Sequence, residues 1–330
     1  MRAIVIRELN NRDAVQIEEI SPPQPGAGEV LVDVHACGIN FTDYLSLDGR
    51  YQNNPPPPFT PGKDASGIVV AVGPGVERLT VGERVVAHVT YGGLAEQVVC
   101  AEARCFTLPD EVSFRDAAGL GLVFMTAYFA CRIRGGLKAG ERVLINGASG
   151  GVGLAAIGMA KGLGARQVLA GLTTPSKAGA VRDAGADAVI DLTGGDLRSR
   201  VREQVDAATG GDGVDLVVDL LGGEVFDATL RCISTYGRIV VTGFASGDIP
   251  TMRTNYLLLK NISVVGMTLQ TFLDEHSPEL ETAHETVLEL LASGAVSANI
   301  TETYAFDDFM AAIERIERRD VVGKSVVEIR

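Results

Sequence analysis

Short apolar segments broken by glycine and proline fill the first third of the chain. Between residues 1 and about 123, segments such as Glu29–Cys37, Ser66–Val72 and Arg84–Val89 are rich in valine and end at turn-forming residues. Short, closely spaced strands with frequent turns are typical of a compact, mostly antiparallel β domain. We therefore predict a β-rich domain over residues 1–123.

From residue 124 to about 267 the pattern changes to regular alternation of apolar runs and amphipathic stretches. The predicted strands are Arg142–Asn146, Gln167–Leu172, Ala188–Asp191, Val214–Leu221, Arg238–Gly243 and Ile262–Met267. Helical stretches such as Val152–Leu163 and Lys177–Ala184 lie between them. Alternating strands and helices predict a doubly wound parallel sheet of the Rossmann type, and the near-continuous apolar strands fit a sheet covered on both faces.

The tail from about 268 to 330 carries two further predicted helices, near residues 279–292 and 307–318, and ends in the strand sequence GKSVVEI. A late strand that follows an α/β unit often returns to the first domain. We therefore expect residues 268–330 to complete the domain of residues 1–123, and residues 124–267 to form the dinucleotide-binding domain.

Composition and charge restrict the partners. Hydrophobic residues make up 46% of the 330, charged residues 22%, and the net charge is −13. Such a surface repels nucleic acid and anionic membranes. The N-terminus does not resemble a signal peptide, and we find no run of roughly 18 apolar residues. Five cysteines without CxxC spacing indicate reduced thiols, so we expect a cytoplasmic protein.

The strongest local signal is a glycine-rich turn, Asn146–Gly153, directly after the strand RVLIN. Gly147 permits a tight turn, Gly150 lets the backbone approach a diphosphate, and Gly153 lets the following helix pack on the sheet. Ala148 departs from a strict GxGxxG pattern, and a turn serving packing alone is the alternative. The N–H groups at the helix start favour a dinucleotide. The candidate cofactor-binding residues here are Ser149, Gly150, Gly151, Val152 and Gly153.

The second predicted strand of this sheet favours NADPH over NADH. In NAD-binding sheets this strand usually ends in an acid that accepts from the ribose 2′-OH. Here Gln167–Leu172 is followed by Thr173, Thr174 and Lys177, with no acid at the strand end. Two hydroxyls and a cation suit a 2′-phosphate, although Lys177 could instead be a solvated residue of the following helix.

Several motifs in order resemble the zinc-free branch of the medium-chain dehydrogenase/reductase superfamily, closest to the quinone oxidoreductases (zeta-crystallin among them) and the vesicle amine transport protein relatives. The motifs are Ala36–Asp43 (ACGINFTD), Thr60–Ile68 (TPGKDASGI), Gly82–Val85, Gly147–Gly153, Leu221–Glu224 and Gly323–Val326. The resemblance covers essentially the whole chain. It implies a GroES-like catalytic domain and a Rossmann domain, an active site in the cleft between them, and a homodimer joined along the edge of the Rossmann sheet.

The same resemblance implies that no metal is bound. Asn40 stands where zinc alcohol dehydrogenases carry a cysteine ligand, and Lys63, followed by Asp64, stands where they carry a histidine ligand. Asparagine and lysine are poor zinc ligands. The four histidines are isolated in sequence, and only a short loop separates His88 from Gly93, where the structural-zinc lobe would lie.

Matched positions also imply contacts. Asn40 lies where quinone reductases place an amide near the nicotinamide and the substrate, with a turn-capping role as the alternative. Tyr51 matches a cleft tyrosine, or packs in an exposed loop. Thr126, which we expect to open the helix TAYFACRI, matches a residue close to the nicotinamide, or is an ordinary helix-start threonine. The loop of Gly243 and Phe244 follows the fifth strand, at the carboxyl ends of the sheet where such folds bind ligands.

Arg319 weakly matches a cofactor-contacting arginine. Three positions depart from the bacterial quinone reductases: Leu45 and Leu192 replace tyrosines, and Leu220 replaces a serine. These changes affect the expected adenosine contacts and the substrate pocket.

We expect NADPH-dependent reduction of quinones by zinc-independent hydride transfer, because quinones spread negative charge without a Lewis acid. Asn40 is a candidate hydrogen-bond donor to the developing oxyanion, and Lys63 and Tyr51 are candidate proton donors. Two alternatives stay open: reduction of enones or enoyl thioesters, and NADPH binding without turnover in a structural protein. Fold alone does not fix the reaction.

Overall fold

The computed structural model describes all 330 residues and divides into two compact units. The first comprises Met1–Leu122 with Ala298–Arg330, and the second comprises Val123–Ser297. The expected domain of residues 124–267 is therefore extended in the structure to Ser297. Residues 268–297, which the sequence pattern predicts in the first domain, lie in the second.

The chain forms fifteen strands and ten α-helices. The strands are β1 Arg2–Ile6, β2 Val15–Glu19, β3 Glu29–Ile39, β4 Asp64–Val72, β5 Arg84–His88, β6 Gln97–Ala101, β7 Cys105–Thr107, β8 Arg142–Asn146, β9 Gln167–Leu172, β10 Ala188–Asp191, β11 Val214–Asp219, β12 Ile233–Val241, β13 Ser263–Gly266, β14 Ile300–Ala305 and β15 Lys324–Glu328. The helices are α1 Phe41–Leu47, α2 Phe114–Tyr128, α3 Gly151–Gly162, α4 Ala178–Asp183, α5 Leu197–Thr209, α6 Gly223–Thr229, α7 Asn255–Lys260, α8 Leu269–Asp274, α9 Glu279–Ala292 and α10 Phe309–Glu317.

The first unit is built on a seven-stranded sheet in the order β14-β15-β3-β4-β5-β7, with β6 also paired to β3. Apart from the parallel pair β14–β15, its neighbours are antiparallel. Alternate residues of β3, Val30, Val32 and Val34, are buried in the core between the strands. The late strand β15 pairs with β3, so the carboxyl end of the chain is built into this unit.

The second unit is a six-stranded sheet in the order β10-β9-β8-β11-β12-β13, with every pair parallel. This is the classic dinucleotide-binding order 3-2-1-4-5-6. The chain moves outward from β8 to β10 and then returns to β11 on the other side of β8. The carboxyl ends of β8 and β11 therefore flank the position where such sheets bind ligands. The α/β fold class predicted from the sequence is confirmed.

Helices α8 and α9 belong to the second unit because their apolar side chains pack there. Phe272 of α8 lies against Phe129, with ring centroids 4.4 Å apart. Gly162 of α3 has no side chain, and a Cβ there would lie 2.5 Å from Leu290 of α9. The amphipathic pattern of a helix indicates that one face is buried but not which sheet covers it. This is why the sequence misplaced residues 268–297.

One stretch, Phe114–Arg134, is long and apolar enough to cross a membrane by length and composition alone, with a mean hydropathy of 1.3. It contains no uninterrupted run of 18 apolar residues, because Arg115, Asp116, Arg132 and Arg134 lie within it. It comprises α2 and a following π-helical turn, Phe129–Arg134. In the structure, 72% of the apolar 18-residue segment within this stretch is buried, as in the core helix of a globular protein.

Candidate functional site

The glycine-rich turn leads directly from β8 into α3. Gly147 adopts a positive φ of 76°, which glycine tolerates without strain. The N–H groups of Gly147 and Ala148 both donate to the carbonyl of Gly171, each at 3.1 Å, which ties the turn to β9. Gly150 caps α3 in an extended conformation, so the N–H groups of the first helical turn have no partner within the helix.

Gly150 and Gly153 lack side chains for different reasons. A Cβ at Gly153 would lie 2.4 Å from the Gly147 carbonyl oxygen and 2.6 Å from Ala148, so this position serves helix packing. A Cβ at Gly150 would meet only one atom within 4 Å, the Gly147 oxygen at 3.7 Å. The space beside Gly150, at the positive end of a twelve-residue helix, is open to an anion.

Buried polar groups fix the strands on either side of this turn. Asn146 Nδ2 donates to Asp219 Oδ1 at 3.0 Å and to the hydroxyl of Thr229 at 3.2 Å. Asp219 also accepts from the backbone N–H groups of Leu221 (3.4 Å) and Gly222 (3.1 Å). Burial raises the pKa of Asp219, and these hydrogen bonds oppose the rise. The ends of β8 and β11 are thus joined side by side.

The loop after β12 contacts the same edge. Ala245 N–H donates to the Leu220 carbonyl at 3.0 Å, and Ser246 N–H donates to the Leu221 carbonyl at 3.1 Å. Leu221 in turn lies against Gly147, where a Cβ would be 3.1 Å from its side chain. The loop that contains Gly243 and Phe244 therefore meets the glycine-rich turn through the β11 loop, as the sequence pattern suggested.

The predicted 2′-phosphate residues follow β9 at the same edge of the sheet. β9 pairs with β8 so that Gly171 lies opposite Asn146. Thr173 and Thr174 are exposed two and three residues beyond that point, and Lys177 is partly exposed in the short 3-10 turn Pro175–Lys177. No carboxylate stands at the end of this strand, in agreement with the sequence.

Of the two other predicted cofactor residues, Thr126 is placed differently from the expectation, while the role of Arg319 stays a prediction. Thr126 does not open a helix: α2 begins at Phe114, is interrupted by a kink at Gly121 (φ −22°, ψ −113°), and buries Thr126 five residues beyond that kink, in the second unit. The apolar residues before Thr126 are already helical, so the helix start expected at Thr126 is too late in the sequence. Arg319 belongs to the first unit, where it is exposed in a left-handed conformation two residues after α10.

The first unit contains a buried charged cluster that includes two of the predicted catalytic residues, Asn40 and Lys63. The further members are Asp43, Asp64, His88 and Lys324, and all six are less than 10% exposed. Asp64 accepts four hydrogen bonds: from Asn40 Nδ2 (3.0 Å), Lys324 Nζ (3.4 Å), His88 Nδ1 (3.3 Å) and the Leu122 N–H (2.8 Å). Burial raises the pKa of Asp64, but Lys324, His88 and Asn40 together outweigh it and lower the pKa.

Asn40 lies just before α1, as the alternative capping interpretation expects, and its backbone N–H donates to Asp43 Oδ2 at 2.8 Å. Both side-chain N–H groups are engaged: Nδ2 donates to Asp64 and, at 3.3 Å, to the Gly38 carbonyl. Its Oδ1 accepts from Lys324 at 2.5 Å. In this arrangement the amide of Asn40 has no N–H left for a substrate oxyanion.

Lys63 has a different environment. Its Nζ donates to the Thr90 carbonyl at 2.7 Å and lies 4.5 Å from the centre of the Tyr51 ring, a cation–π contact. Burial lowers the pKa of Lys63, opposed by Asp43 and Asp64. Burial likewise raises the pKa of Asp43, opposed by Lys63. One bonded carbonyl leaves the ammonium able to donate further, since it carries three N–H groups.

Sequence reasoning missed Asp43, Lys324 and the pairing of His88 with Asp64. Asp43 lies three residues after Asn40, the spacing of a capping box, and could have been found from that pattern. Lys324 is separated from Asn40 by 284 residues, so only the pairing of β15 with β3 brings them together. The structure contains no group of three or more His, Cys, Asp and Glu side chains placed to hold a metal ion.

A GroES-like β unit and a Rossmann unit with a glycine-rich turn between β8 and α3 define a dehydrogenase/reductase of the medium-chain type. Family models agree: residues 26–110 match the alcohol dehydrogenase GroES-like domain, and residues 151–290 match the zinc-binding dehydrogenase domain. The second match extends past residue 267, as the second unit does.

Relatives narrow the class. The chain is 33% identical over 329 residues to quinone oxidoreductase-like protein 2 of Rattus norvegicus, covering 100% of this chain and 92% of the relative. It is 30% identical to the Escherichia coli quinone oxidoreductase solved in complex with NADPH, with a TM-score of 0.89 over both full chains. The CurK enoyl reductase is 26% identical, with a TM-score of 0.87 over 100% of this chain and 99% of that one. The chain belongs to the quinone oxidoreductase family of the medium-chain dehydrogenase/reductase superfamily.

Proposed function

We propose that this protein is an NADPH-dependent oxidoreductase that reduces quinones. The observation that carries the proposal is the open space beside Gly150 at the start of α3, located where the strand order reverses. The Escherichia coli relative of similar fold is described as a complex with NADPH, which supports the same cofactor here.

The residues of the second unit fit this cofactor. The N–H groups of Gly151, Val152 and Gly153 at the α3 N-terminus would hold the diphosphate. Thr173, Thr174 and Lys177 would hold the 2′-phosphate, where an acid would repel it. When bound, NADPH supplies a hydride from its reduced nicotinamide ring.

In the first unit, Lys63 is the proposed proton donor. An acceptor that gains a hydride needs a proton to complete its reduction, and Lys63 is an ammonium with N–H groups to spare. Its lowered pKa brings proton release closer to neutral pH than for an ordinary lysine. Tyr51, whose ring lies over the ammonium, is the alternative donor. Asn40 serves to hold the cluster, because its amide is fully hydrogen-bonded.

A second candidate is reduction of α,β-unsaturated carbonyls, such as enones or enoyl thioesters. The similarity in fold and sequence to an enoyl reductase favours it. The chemistry asked of the protein is the same, since an enolate and a quinol oxyanion both gain a proton after hydride addition.

A panel of acceptors tests the proposal. We expect oxidation of NADPH by quinones, a weaker rate with NADH, little turnover of enones and acyl thioesters, and no loss of rate after treatment with a chelator. Faster turnover of unsaturated carbonyls would favour the second candidate. Loss of activity on chelation would refute the proposed metal independence, and tight NADPH binding with no turnover of any acceptor would leave a non-catalytic binding protein.

We further propose that the protein works in the cytoplasm as a homodimer. All five cysteines are free and buried, which suits a reducing compartment. The net charge of −13 disfavours nucleic acid and anionic membranes as partners. Cell fractionation tests the cytoplasmic localisation, and measurement of the mass in solution tests the dimer.

A further inference from the structure

Lys324 is a buried lysine to which neither the fold class nor the proposed reaction assigns a role. It is the first residue of β15 and only 2% exposed. Its aliphatic stem passes over Gly38 of β3, where a Cβ would lie 3.0 Å from Lys324 Cε and 2.2 Å from the Ala118 carbonyl oxygen. Glycine at this position is required by the Ala118 carbonyl oxygen, and it also leaves the lysine stem uncrowded on its way to Asn40 and Asp64.

The ammonium of Lys324 sets the orientation of the Asn40 side chain. It donates to Asn40 Oδ1 at 2.5 Å and lies 3.4 Å from Asp64 Oδ2, while Asn40 Nδ2 donates to that same Asp64 oxygen at 3.0 Å. Rotating the amide by 180° would place its NH₂ against the ammonium and its oxygen against the carboxylate. Both contacts would be repulsive, so Lys324 and Asp64 together select one orientation.

The backbone of Asn40 is linked by hydrogen bonds towards Lys63. The Asn40 backbone N–H donates to Asp43 Oδ2 at 2.8 Å, and Asp43 Oδ1 accepts from the Gly62 N–H at 3.2 Å. Gly62 immediately precedes Lys63 in sequence. A continuous series of buried hydrogen bonds therefore joins Lys324, Asn40, Asp43 and the backbone that carries Lys63.

We propose that Lys324 is a positioning residue for the reaction: by fixing the Asn40 amide against Asp64, it anchors the Asn40 backbone, whose N–H holds Asp43, and through Gly62 it places the Lys63 ammonium. The proposal rests on the proposed function, in which Lys63 delivers the proton. Lys324 also balances the charge of the buried cluster, because two buried carboxylates (Asp43 and Asp64) are matched by two buried ammonium groups (Lys63 and Lys324).

The kinetic test separates positioning from stability. Lys324→Met alone leaves Asp64 as a buried charge without its cation and is expected to unfold at a lower temperature. The double variant Asp64→Asn/Lys324→Met is neutral again and should regain most of that stability. We expect its kcat to remain roughly 10- to 100-fold below wild type, as for other small misplacements of reacting groups, with the KM for NADPH unchanged.

Two further variants complete the kinetic test. Lys324→Arg retains a cation and should recover part of kcat. Lys161→Met, which removes a surface ion pair with Asp187, is the matched loss of a lysine and should leave kcat unchanged. If the double variant regains kcat together with stability, Lys324 is merely structural and the proposal fails; wild-type kcat in Lys324→Met would overturn it equally.

A measurement without turnover keeps this proposal separate from the proposed function. In protein labelled with ¹⁵N-asparagine, the Asn40 side-chain NH₂ signals can be assigned through their loss in Asn40→Ala. Comparing Asp64→Asn with Asp64→Asn/Lys324→Met isolates the effect of Lys324. We expect the Asn40 signals to shift and their exchange with water to quicken when Lys324 is removed; unchanged signals would refute the positioning role even if no acceptor is ever reduced.

Discussion

At the scale of single residues, alanine substitutions of two glycines three positions apart are expected to have different effects on stability and on NADPH affinity. Gly150 has φ −79° and ψ 171°, which alanine adopts freely, and no protein atom closer than 3.7 Å to an added Cβ. Gly150→Ala should therefore leave the melting temperature unchanged, but its methyl group would occupy the space in which the diphosphate is proposed to bind. Losing one charge-assisted hydrogen bond costs about 1.5–3 kcal/mol, so we expect the Kd for NADPH to rise roughly 10- to 100-fold by titration calorimetry.

Gly153→Ala is the matched comparison. Its Cβ would lie 2.4 Å from the Gly147 carbonyl oxygen, a backbone atom that can move only with the turn. Such overpacking costs about 1–3 kcal/mol, so the melting temperature should fall. Equal effects of the two alanines on stability, or no effect of Gly150→Ala on NADPH affinity, would contradict the assignment of the diphosphate to this helix.

Lys177 makes the prediction for cofactor choice. Lys177→Glu puts a negative charge where the 2′-phosphate is expected, so the KM for NADPH should rise at least roughly 10-fold while the KM for NADH changes little. Arg182→Glu, in the last turn of the following helix α4, changes the net charge identically and serves as control. Steady-state kinetics with both cofactors measures the effect, and a parallel rise for NADPH and NADH would refute the 2′-phosphate assignment.

Lys63 makes the prediction for pH dependence. Burial lowers the pKa of Lys63, so its protonated form is lost as pH rises through a value below that of an ordinary lysine. The pH profile of kcat should be flat on the acid side of this pKa and fall on the alkaline side. Lys63→Met should lower kcat about 10²- to 10⁴-fold and remove that alkaline fall.

Tyr51→Phe provides the control for Lys63, because it keeps the ring under the ammonium and removes only the hydroxyl. We expect it to retain most of kcat and the alkaline fall. A large loss in Tyr51→Phe with little loss in Lys63→Met would instead identify the tyrosine as the proton donor.

At the scale of elements, the sequence was sufficient to predict those strands and helices whose own apolar residues follow a regular pattern. The predicted strands Arg142–Asn146, Gln167–Leu172 and Ala188–Asp191 and the helix at 279–292 match the structure residue for residue. Strand β12 begins at Ile233 rather than at the predicted Arg238, and Tyr236, at a φ of 66°, interrupts its regular geometry. A register shift between Val214 and Leu216 accommodates this irregularity within the sheet.

What the sequence could not predict are contacts made across long separations. The glycine-rich turn is local and was identified in full, whereas the buried cluster depends on β15 pairing with β3 and on α2 bringing the Leu122 N–H to Asp64. Isolated Asp, His and Lys residues carry no periodic signal. Their partners are defined only after the sheet has formed.

The assignment of α9 to the second unit predicts how hydrogen exchange in this helix responds to NADPH. Ligand binding at 100 times Kd stabilises the native state by about 2.7 kcal/mol, which slows hydrogen exchange roughly 100-fold for amides that exchange through unfolding of the binding unit. We expect saturation with NADPH to slow exchange in α9 as much as in β8. Exchange in α9 that follows β5 of the first unit, and not β8, would contradict the boundary at Ser297.

At the scale of the whole molecule, the parallel sheet of the second unit has an edge strand, β13, with one side unpaired. β13 pairs only with β12, and the preceding helix α7 exposes two large apolar side chains, Leu258 (78%) and Leu259 (73%). A parallel edge strand with its backbone groups open is a template for pairing with another chain. A second copy of this protein offers the same edge, so a two-fold pairing of β13 strands would cover both edges and both leucine pairs.

Light scattering after gel filtration measures this assembly directly. Wild type should elute with twice the monomer mass of 34.7 kDa. Leu258→Glu/Leu259→Glu brings four carboxylates together across the two-fold axis, and since like charges at an interface cost several kcal/mol, it should elute as a monomer. Val81→Glu alters an equally apolar, 62% exposed position of the first unit and should remain dimeric. A monomeric wild type, or a leucine variant that stays dimeric, would show that the β13 edge is covered in some other way.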